Sequence, residues 1–571
     1  NITYKILFND AVAMTGGQGN DGSLSALRIT EELLAMGIEN LALVYDEKEE
    51  LDLQAFSKKI SKHCREDLMD VQNKFAKIKG VSCIVYIQTC AAEKRRRRKR
   101  GKFPDPDQRI FINTDVCEGC GDCGEQSNCV ALNPVETEFG RKRVIDQSAC
   151  NKDFSCMKGF CPSFVTLHGA TPKKRVAPDF ELPQMPSPSI EPIKDTHNIV
   201  VTGVGGTGVV TIGAILAQAA QIDGKGAGMM EMAGLAQKGG AVHIHCRLAE
   251  TAQGISAIRV STGECDALIG GDLVVSAAAK TLGLTSSGKT GAVVNNHEIV
   301  TGEFTRNTEF KIPQDQLLVS LQARIKDRLR MFDATRLATE LMGDSIFSNM
   351  MVFGAAWQRG LVPISHTAIF AAIEINGAVI DKNKRAFELG RWAMLYPESA
   401  LKVVKPKVLD LQKTLEEKIK FRMDHLVLYQ SGRLAKKYIK FLNMIEDKEL
   451  KEVVAKGYHK LLAYKDEYEV ARLHLRTRDM ANDNFDGVDR ISYHLAPPLF
   501  SKVGSDGRPK KRQFGSVMGI GFIILSKLKI LRGTPFDFFG YFTERKMERH
   551  LITEYERDIA QALPLFSKDT K

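Results

Sequence analysis

Strand-like and helix-like patterns alternate through the first ninety residues. Short apolar runs rich in β-branched residues predict strands, and longer stretches between them fit the period of an amphipathic helix. Strands that alternate with helices form parallel sheets, because a parallel crossover needs about a helix of intervening chain. We therefore expect residues 1–92 to form the end of an α/β domain. The predicted strands are Tyr4–Asn9, Leu41–Tyr45 and Val81–Gln88, and the helical stretches are Ser23–Gly37 and Leu53–Lys79.

A second strand-to-helix pattern begins at His197. It follows residues 171–196, which contain six prolines and little periodicity, as is typical of an extended linker. The apolar strand Ile199–Thr202 and the helix-compatible run after it predict another α/β domain over 197–405. Charged helical stretches then predict a mostly helical region over 406–571, at Leu409–Lys420, Gly432–Lys460 and Arg545–Ala562.

Length and composition make this a multidomain chain. Its 571 residues exceed the roughly 250–300 that one hydrophobic core supports. With 43% hydrophobic and 26% charged residues, it has no apolar run near the roughly 18–20 residues that cross a bilayer, and no secretory signal. We expect a cytoplasmic protein that does not enter the membrane.

The positive charge is concentrated in one place. Lys94–Arg100 contributes seven cations to a net charge of +11. The run has no interleaved aromatic residues, so we expect no nucleic acid as a partner. We interpret residues 93–108 as a solvated basic linker, with the alternative that the run steers an acidic ferredoxin toward the protein.

The cysteines carry the clearest chemistry. Seven of the twelve fall between Cys117 and Cys161, and in a reducing compartment such clustering favours metal ligation over disulfides. The spacing C-x2-C-x2-C, closed by a distant Cys-Pro, is typical of iron–sulfur ferredoxins. Zinc is the alternative, although zinc sites normally use cysteines in two pairs. We predict a ferredoxin-like segment over 109–170 whose [4Fe-4S] cluster is held by Cys117, Cys120, Cys123 and Cys161.

The remaining three cysteines of this segment suggest a second cluster. Cys129, Cys150 and Cys156 offer three thiolates, and Asp153 stands where a regular second run would have its middle cysteine. Either Asp153 or solvent would then bind the remaining iron, or the cluster would have three irons. The alternative is that these are structural cysteines.

Just after the first strand, the sequence NDAVAMTGGQ begins at Asn9. A strand-end Asn and a carbonyl two residues later offer oxygens of the kind that Mg²⁺ prefers, although a simple turn also fits this sequence. Taken with CEGCGDC, CNKDFSCMKGFCP, GVGGTGVV and GLAQKGG, in that order, it resembles the large single-chain indolepyruvate:ferredoxin oxidoreductases of the 2-oxoacid:ferredoxin oxidoreductase superfamily.

The resemblance implies a thiamine diphosphate site whose end lies in residues 1–92. Asn9 and the carbonyl of Ala11 would bind Mg²⁺, and Thr15, Gly16 and Gly17 would lie at the diphosphate. The family's Gly-Asp-Gly motif is absent from these residues. We therefore expect an upstream part of the enzyme, on the same or a separate chain.

The glycine-rich loop Gly203–Gly208 permits two interpretations. Between a strand and a helix it could bind a dinucleotide, but the acidic residue this requires would be Glu231, with no predicted strand before it. The resemblance implies instead a gamma-type α/β domain. In the same domain, His243 and His245 are interpreted as two polar residues on one strand face, with a metal pair as the alternative.

These observations predict a thiamine-dependent oxidoreductase that decarboxylates an aryl 2-oxoacid to an acyl-coenzyme A and passes electrons through [4Fe-4S] clusters to ferredoxin. We expect a homo-oligomer. The alternatives are a nicotinamide-linked iron–sulfur oxidoreductase and a non-catalytic electron-transfer subunit. The predicted fold is α/β multidomain, with the end of a thiamine-diphosphate-binding domain, a ferredoxin-like segment, a gamma-type domain and a mostly helical C-terminal region.

Overall fold

The computed structural model describes residues 1–9, 22, 24–129, 131–173, 181–205, 208–233, 240–297, 307, 312–404, 414–497 and 508–569. The chain divides into two compact units. Unit 1 comprises Asn1–Pro106, Cys150–Asp153 and Ala233–Ala241, and unit 2 comprises Asp107–Ala149, Phe154–Met232 and Val242–Lys571. Among the described residues, no helix combines the length and apolar character that crossing a membrane requires.

Unit 1 is built on a four-stranded parallel sheet in the order β1-β4-β2-β3. The parallel α/β arrangement predicted for this segment is confirmed. The prediction of a helix over Leu53–Lys79 is wrong in its first half, where four residues form the edge strand β3. An edge strand carries polar residues that prevent further pairing, so it lacks the apolar signal of an inner strand. The elements are β1 Ile2–Phe8, α1 Ala26–Ala35, β2 Asn40–Tyr45, β3 Ser61–Cys64, α2 Leu68–Ala76, β4 Val81–Ile87 and α3 Ala91–Lys99.

The cysteine-rich segment supplies short elements to unit 2. Strands β5 and β8 pair antiparallel, and β6 and β7 form a hairpin. A buried apolar cluster lies between them and contains the cysteines Cys117, Cys123 and Cys156, with Cys129 and Cys161 packed against it. The elements are β5 Gln108–Ile112, α4 Asp122–Ser127, β6 Leu132–Thr137, β7 Gly140–Ile145, β8 Phe164–His168 and β9 Thr171–Pro172.

The next part of unit 2 contains a six-stranded sheet in the order β11-β12-β10-β13-β14-β15. Strands β10, β13, β14 and β15 are parallel to one another, as a βαβ pattern requires. Strands β13 and β14 are buried along their whole length and are almost entirely apolar. The elements are β10 His197–Val204, α5 Val209–Ile222, β11 Gly226–Ala233, β12 Ala241–Ala249, β13 Ala267–Gly270, α6 Leu273–Ser276, α7 Ala279–Leu284, β14 Gly291–Asn295, α8 Gln314–Ile325 and β15 Leu329–Phe332.

Five helices follow this sheet, and two of them pack at very close range. A Cβ atom at Gly354 would lie 2.0 Å from the carbonyl oxygen of Phe387, and one at Gly390 would lie 1.9 Å from that of Met351. Only glycine permits such an approach of two helix backbones. The helices are α9 Ala334–Met342, α10 Ser348–Gln358, α11 His366–Asn376, α12 Ile380–Leu395 and α13 Pro397–Val404.

The C-terminal region is mostly helical, but its described residues also include three strands that the sequence analysis did not predict. Strand β17 pairs antiparallel with both β8 and β18, and β16 pairs with β9. The sheet of the cysteine-rich segment therefore has the order β18-β17-β8-β5, with two of its four strands from the C-terminal region. The elements are α14 Leu415–Tyr429, α15 Gly432–Leu442, α16 Lys448–Leu462, α17 Glu467–His474, α18 Thr477–Asn484, β16 Phe485–Asp486, β17 Arg490–Leu495, β18 Arg512–Phe514, α19 Met518–Lys527 and α20 Thr543–Asp569.

Candidate functional site

The loop that carries the first three cysteines is shaped by Asn113 at the end of β5. Its side-chain oxygen accepts hydrogen bonds from the backbone N–H groups of Asp115 (2.9 Å) and Val116 (3.3 Å), and its carbonyl accepts from the N–H of Cys117 (3.0 Å). Gly119 follows with φ of +72°, and a Cβ there would lie 2.1 Å from the carbonyl oxygen of Arg141. The loop is thereby tightly folded against the β6–β7 hairpin.

The four cysteines predicted for the first cluster come together. Burial raises the pKa of the Cys123 thiol to about 12, and Cys161, Cys117 and Cys120 add to that rise because they lie close to it. Burial is likewise the main cause that raises the pKa of Cys161, and both Cys117 and Cys120 contribute again. The four sulfurs are therefore neighbours, although Cys117 and Cys161 are 44 positions apart in the sequence.

Hydrogen-bonding groups lie close to two of these sulfurs. The N–H of Gly119 donates to Cys117 Sγ at 3.3 Å, and the Ser163 hydroxyl lies 3.0 Å from Cys161 Sγ. Hydrogen bonds to ligand sulfurs are among the features that tune iron–sulfur clusters. Within the described ranges, no three His, Cys, Asp or Glu side chains are already drawn together at metal-ligand spacing. The four thiols are thus neighbours that do not stand at metal-ligand spacing in this structure.

Residues of the C-terminal region hold the cysteine loops in position. Thr477 accepts a hydrogen bond from the Asn113 amide at 2.8 Å, and Arg508 pairs with Asp122 at 2.7 Å. His474 Nε2 donates to the carbonyl of Pro162 at 3.1 Å. The sequence analysis found none of these C-terminal residues. Nothing local marks them, because each lies more than 300 positions from its partner.

The second set of cysteines is divided between the two units. Cys129 and Cys156 belong to unit 2, in the buried cluster described above, whereas Cys150 and Asp153 belong to unit 1. In unit 1 the N–H of Lys152 donates to Cys150 Sγ at 3.4 Å. The ligand set Cys129, Cys150, Cys156 and Asp153 stays a prediction.

The basic run is not a solvated linker, and that prediction is wrong. Residues 91–99 form α3, in which Lys94 is 8% exposed and pairs with Glu49 at 2.6 Å. Arg97 pairs with Glu93 at 3.1 Å, and Arg98 donates to the carbonyl of Asn151 at 2.6 Å. Burial lowers the pKa of Arg98, while Asp105, Cys150 and Asp153 act in the opposite direction. Helix α3 therefore supports the loop 150–153 within unit 1.

The residues predicted for the thiamine end fall almost wholly outside the described residues. Asn9 directly follows β1, whose last residue accepts a backbone hydrogen bond from Gln88 at 3.0 Å. Ala11, Thr15, Gly16 and Gly17 lie outside the described residues, as do 206–207 and 234–239 of the two glycine-rich motifs. The Mg²⁺ and diphosphate site stays a prediction.

The glycine-rich loop joins β10 to α5. Gly208 has φ of +83° at the start of α5, and its carbonyl accepts a hydrogen bond from the Asn349 amide at 3.2 Å. Glu231, the residue that the nicotinamide interpretation required, does lie on a strand, which corrects the expectation that no strand is present there. That strand, β11, is separated from β10 by β12. A ribose-binding acid would follow the strand next to β10, so Glu231 is not placed for that role.

Two buried histidines are structural. His243 Nε2 lies 3.0 Å from Thr281 Oγ1, and His245 Nδ1 accepts the backbone N–H of Val260 at 3.0 Å. Burial lowers the pKa of both rings, to about 4 for His243. The interpretation as polar residues on one face of a strand is confirmed.

Two family models match the chain. Residues 198–393 match pyruvate ferredoxin/flavodoxin oxidoreductase, and residues 415–571 match a family of unknown function, DUF6537. Similar curated proteins include the indolepyruvate oxidoreductase subunit IorB of Archaeoglobus fulgidus, 27% identical over 34% of this chain and 92% of the relative. The protein of that name from Thermococcus kodakarensis is 29% identical over 34% and 94%.

Solved structures also align with the chain. One is the pyruvate oxidoreductase subunit PORC of Thermotoga maritima, which is 21% identical in sequence. The alignment covers 35% of this chain and 97% of that protein, with a TM-score of 0.26. The gamma subunit of a keto/oxoacid ferredoxin oxidoreductase from Geobacter sulfurreducens aligns with 23% identity, 35% and 98% coverage, and a TM-score of 0.25. By the family match and the curated relatives, residues 198–393 are similar to a domain of the 2-oxoacid:ferredoxin oxidoreductases.

Proposed function

We propose that this chain is the electron-carrying part of a thiamine diphosphate-dependent oxidoreductase that converts an aryl 2-oxoacid, such as indolepyruvate, to an acyl-coenzyme A and reduces ferredoxin. The observation that carries the proposal is the gathering of Cys117, Cys120, Cys123 and Cys161 in the unit that also contains the family domain. The substrate class rests on the names of the curated relatives.

Each protein group has a defined task in this proposal. The four thiols would hold a [4Fe-4S] cluster, which supplies one-electron transfer when it is bound. Three of them, Cys117, Cys123 and Cys161, line an apolar cluster that limits the access of water. Cys129, Cys150, Cys156 and Asp153 would hold a second cluster.

The partners follow from the same proposal. Asn9 and the Ala11 carbonyl would bind Mg²⁺, and Thr15, Gly16 and Gly17 would face the diphosphate of thiamine, in a site completed by an upstream part of the enzyme. The curated relatives are named as subunits, which supports assembly with a catalytic partner. Ferredoxin is the proposed electron acceptor and a homo-oligomer the proposed assembly.

Metal analysis tests the cluster directly. The full chain, purified without oxygen, is expected to contain about four iron atoms and four sulfides for each cluster and to give a paramagnetic signal when reduced. The Cys120→Ser variant should lose or alter that signal, since Cys120 lies at the surface and its replacement spares the core. Cys64→Ser is the matched control, because Cys64 is a partly exposed cysteine of unit 1 without ligand spacing. A protein that contains zinc and no iron would refute the proposal.

Turnover tests the substrate separately. The chain, assembled with the upstream part of the enzyme, is expected to reduce ferredoxin with indolepyruvate and coenzyme A faster than with pyruvate. A preference for pyruvate would refute the proposal of an aryl substrate but not the proposal of a cluster. Oxidation of reduced nicotinamide by the same assembly would favour the nicotinamide-linked alternative.

A further inference from the structure

Four cationic side chains lie beside the four cysteines of the first cluster. Lys142 and Arg143 come from β7 of the cysteine-rich segment, with exposures of 5% and 2%. Lys465 precedes α17 and Lys511 precedes β18, so both come from the region that matches a family of unknown function. We call Lys142, Arg143, Lys465 and Lys511 the cationic collar.

The collar residues touch the cysteine loops at their backbone. Lys465 Nζ donates to the carbonyl oxygens of Val116 and Cys117, both at 3.1 Å, and pairs with Glu118 at 2.7 Å. Lys511 Nζ donates to the carbonyl of Cys161 at 3.4 Å and lies 5.3 Å from the centre of the Phe164 ring. The C-terminal region thus brings one lysine to each end of the predicted ligand set.

Lys142 is buried and Lys511 is half-buried beside the cysteine loops. Among the residues that the structure describes, neither lysine nitrogen has a carboxylate oxygen within 4 Å. Burying a cation without an opposite charge is costly, and proteins normally pair such groups or bind an ion to them. Burial lowers the pKa of Lys511, and the charges of Cys161, Cys156, Asp122 and Cys123 act in the opposite direction.

A cluster held by four thiolates would supply a further negative charge close to these lysines. Its net charge is negative, and reduction by one electron makes it more negative by one unit. Fixed cations nearby therefore stabilise the reduced form more than the oxidised form. We propose that the cationic collar raises the reduction potential of the cluster at Cys117, Cys120, Cys123 and Cys161, and that supplying Lys465 and Lys511 to it is a function of the C-terminal region. This inference rests on the proposed cluster.

Redox titration of the full chain tests the collar. Lys511→Met removes the charge and keeps the length of the side chain. We expect this variant to retain its iron. At the wild-type midpoint potential, its ratio of reduced to oxidised cluster should be at least tenfold lower. This corresponds to a reduction potential lower by about 59 mV for a one-electron couple. Because salt screens partly buried charges much less than exposed ones, most of the shift should persist at high ionic strength.

Two further variants separate charge from packing. Lys511→Arg keeps the charge and should restore most of the potential, and Lys510→Met removes the charge of the exposed neighbour and should leave the potential unchanged. A wild-type potential in iron-loaded Lys511→Met overturns the inference. If that variant loses iron, Lys142→Met is titrated in its place, with the same expected shift and the same refuting result. Absence of iron from the wild-type protein would refute the proposed function instead.

Discussion

The buried ion pair between Asp466 and Arg532 is expected to fix the part of the C-terminal region that reaches the cysteine loop. Arg532 Nε lies 2.5 Å from Asp466 Oδ2 and Nη2 lies 2.7 Å from Oδ1, and both side chains are almost fully buried. Asp466 also accepts the N–H of Glu469 at 2.9 Å, which caps α17. Since Lys465 is the residue before Asp466, the pair determines where that lysine can reach.

Replacing Arg532 by Met should be severely destabilising. It removes both charged hydrogen bonds and leaves the carboxylate of Asp466 buried without a counter-charge, a change that typically costs about 3–5 kcal/mol. It also removes the hydrogen bond from Nη1 to the Tyr429 carbonyl at 2.9 Å and the packing of the guanidinium 3.7 Å above the Tyr429 ring centre. By contrast, the Arg476–Asp115 pair, at 3.2 Å, involves an arginine that is 69% exposed. Such a surface pair contributes about 1 kcal/mol at most.

Hydrogen exchange of the α17 amides measures the local loss of stability in each variant. A local measurement is needed because a chain of several domains has no single free energy of unfolding. A loss of about 3 kcal/mol lowers the protection of these amides by roughly 150-fold, since each 1.4 kcal/mol corresponds to a factor of ten. The matched control, Arg476→Met, should change protection less than about fivefold. Protection of α17 in Arg532→Met within threefold of the wild-type value would refute the reasoning. Iron should also leave this variant faster, because Lys465 would no longer be held at Cys117.

Three other outcomes are expected. Burial, His425 and Arg422 lower the pKa of His459 to about 3 in the folded protein. Below about pH 6.5 His459 therefore binds a proton in the unfolded chain but not in the folded one. The free energy of unfolding should fall on acidification by about 1.4 kcal/mol per pH unit. Urea midpoints between pH 7 and pH 5 should show a shallower slope for His459→Gln, and equal slopes would contradict this. Gly390→Ala should lower the stability by about 1–3 kcal/mol in thermal unfolding, whereas Gly432→Ala, with open space around its Cβ position, should not. Lys94→Met should make α3 sensitive to proteolysis, because it breaks the ion pair with Glu49. The control Arg100→Met, which replaces an exposed arginine, should not have this effect. Equal resistance of the two variants would mean that the Lys94–Glu49 pair does not stabilise the helix.

The predictable parts of the fold and the site are those encoded by neighbouring residues. The apolar runs around β1, β2 and β4 gave the parallel sheet of unit 1, because strand length and composition are local properties. The spacing Cys117, Cys120, Cys123 placed three thiols on one tight loop, for which Gly119 supplies the left-handed conformation. Cys161 is distant in sequence, but the proline that follows it is typical of the last cysteine ligand in ferredoxins.

Pairing between distant segments was not predictable in this way. Strand β17 does alternate, with Ile491, Tyr493 and Leu495 in one buried cluster and polar residues between them, but six residues are a short signal within a region of long helices. It forms because β8, more than 300 residues earlier, offers it an open edge. No pattern within the helical region reveals that edge, and the three C-terminal strands were therefore missed.

The contacts of charged residues are also hard to predict, because a sequence shows where the cations occur but not which residues they contact. The seven cations from Lys94 to Arg100 were expected to be solvated, yet Lys94 is buried against Glu49, a residue 45 positions earlier. Lys511 stands in an equally ordinary run, Lys510–Arg512, and its exposed neighbour Lys510 has the same side chain. Its half-buried position beside Cys161, without a carboxylate within 4 Å among the described residues, distinguishes it. A half-buried lysine is stabilised by negative neighbours, and the thiolates of the proposed cluster would add to the charge of Asp122 in that role.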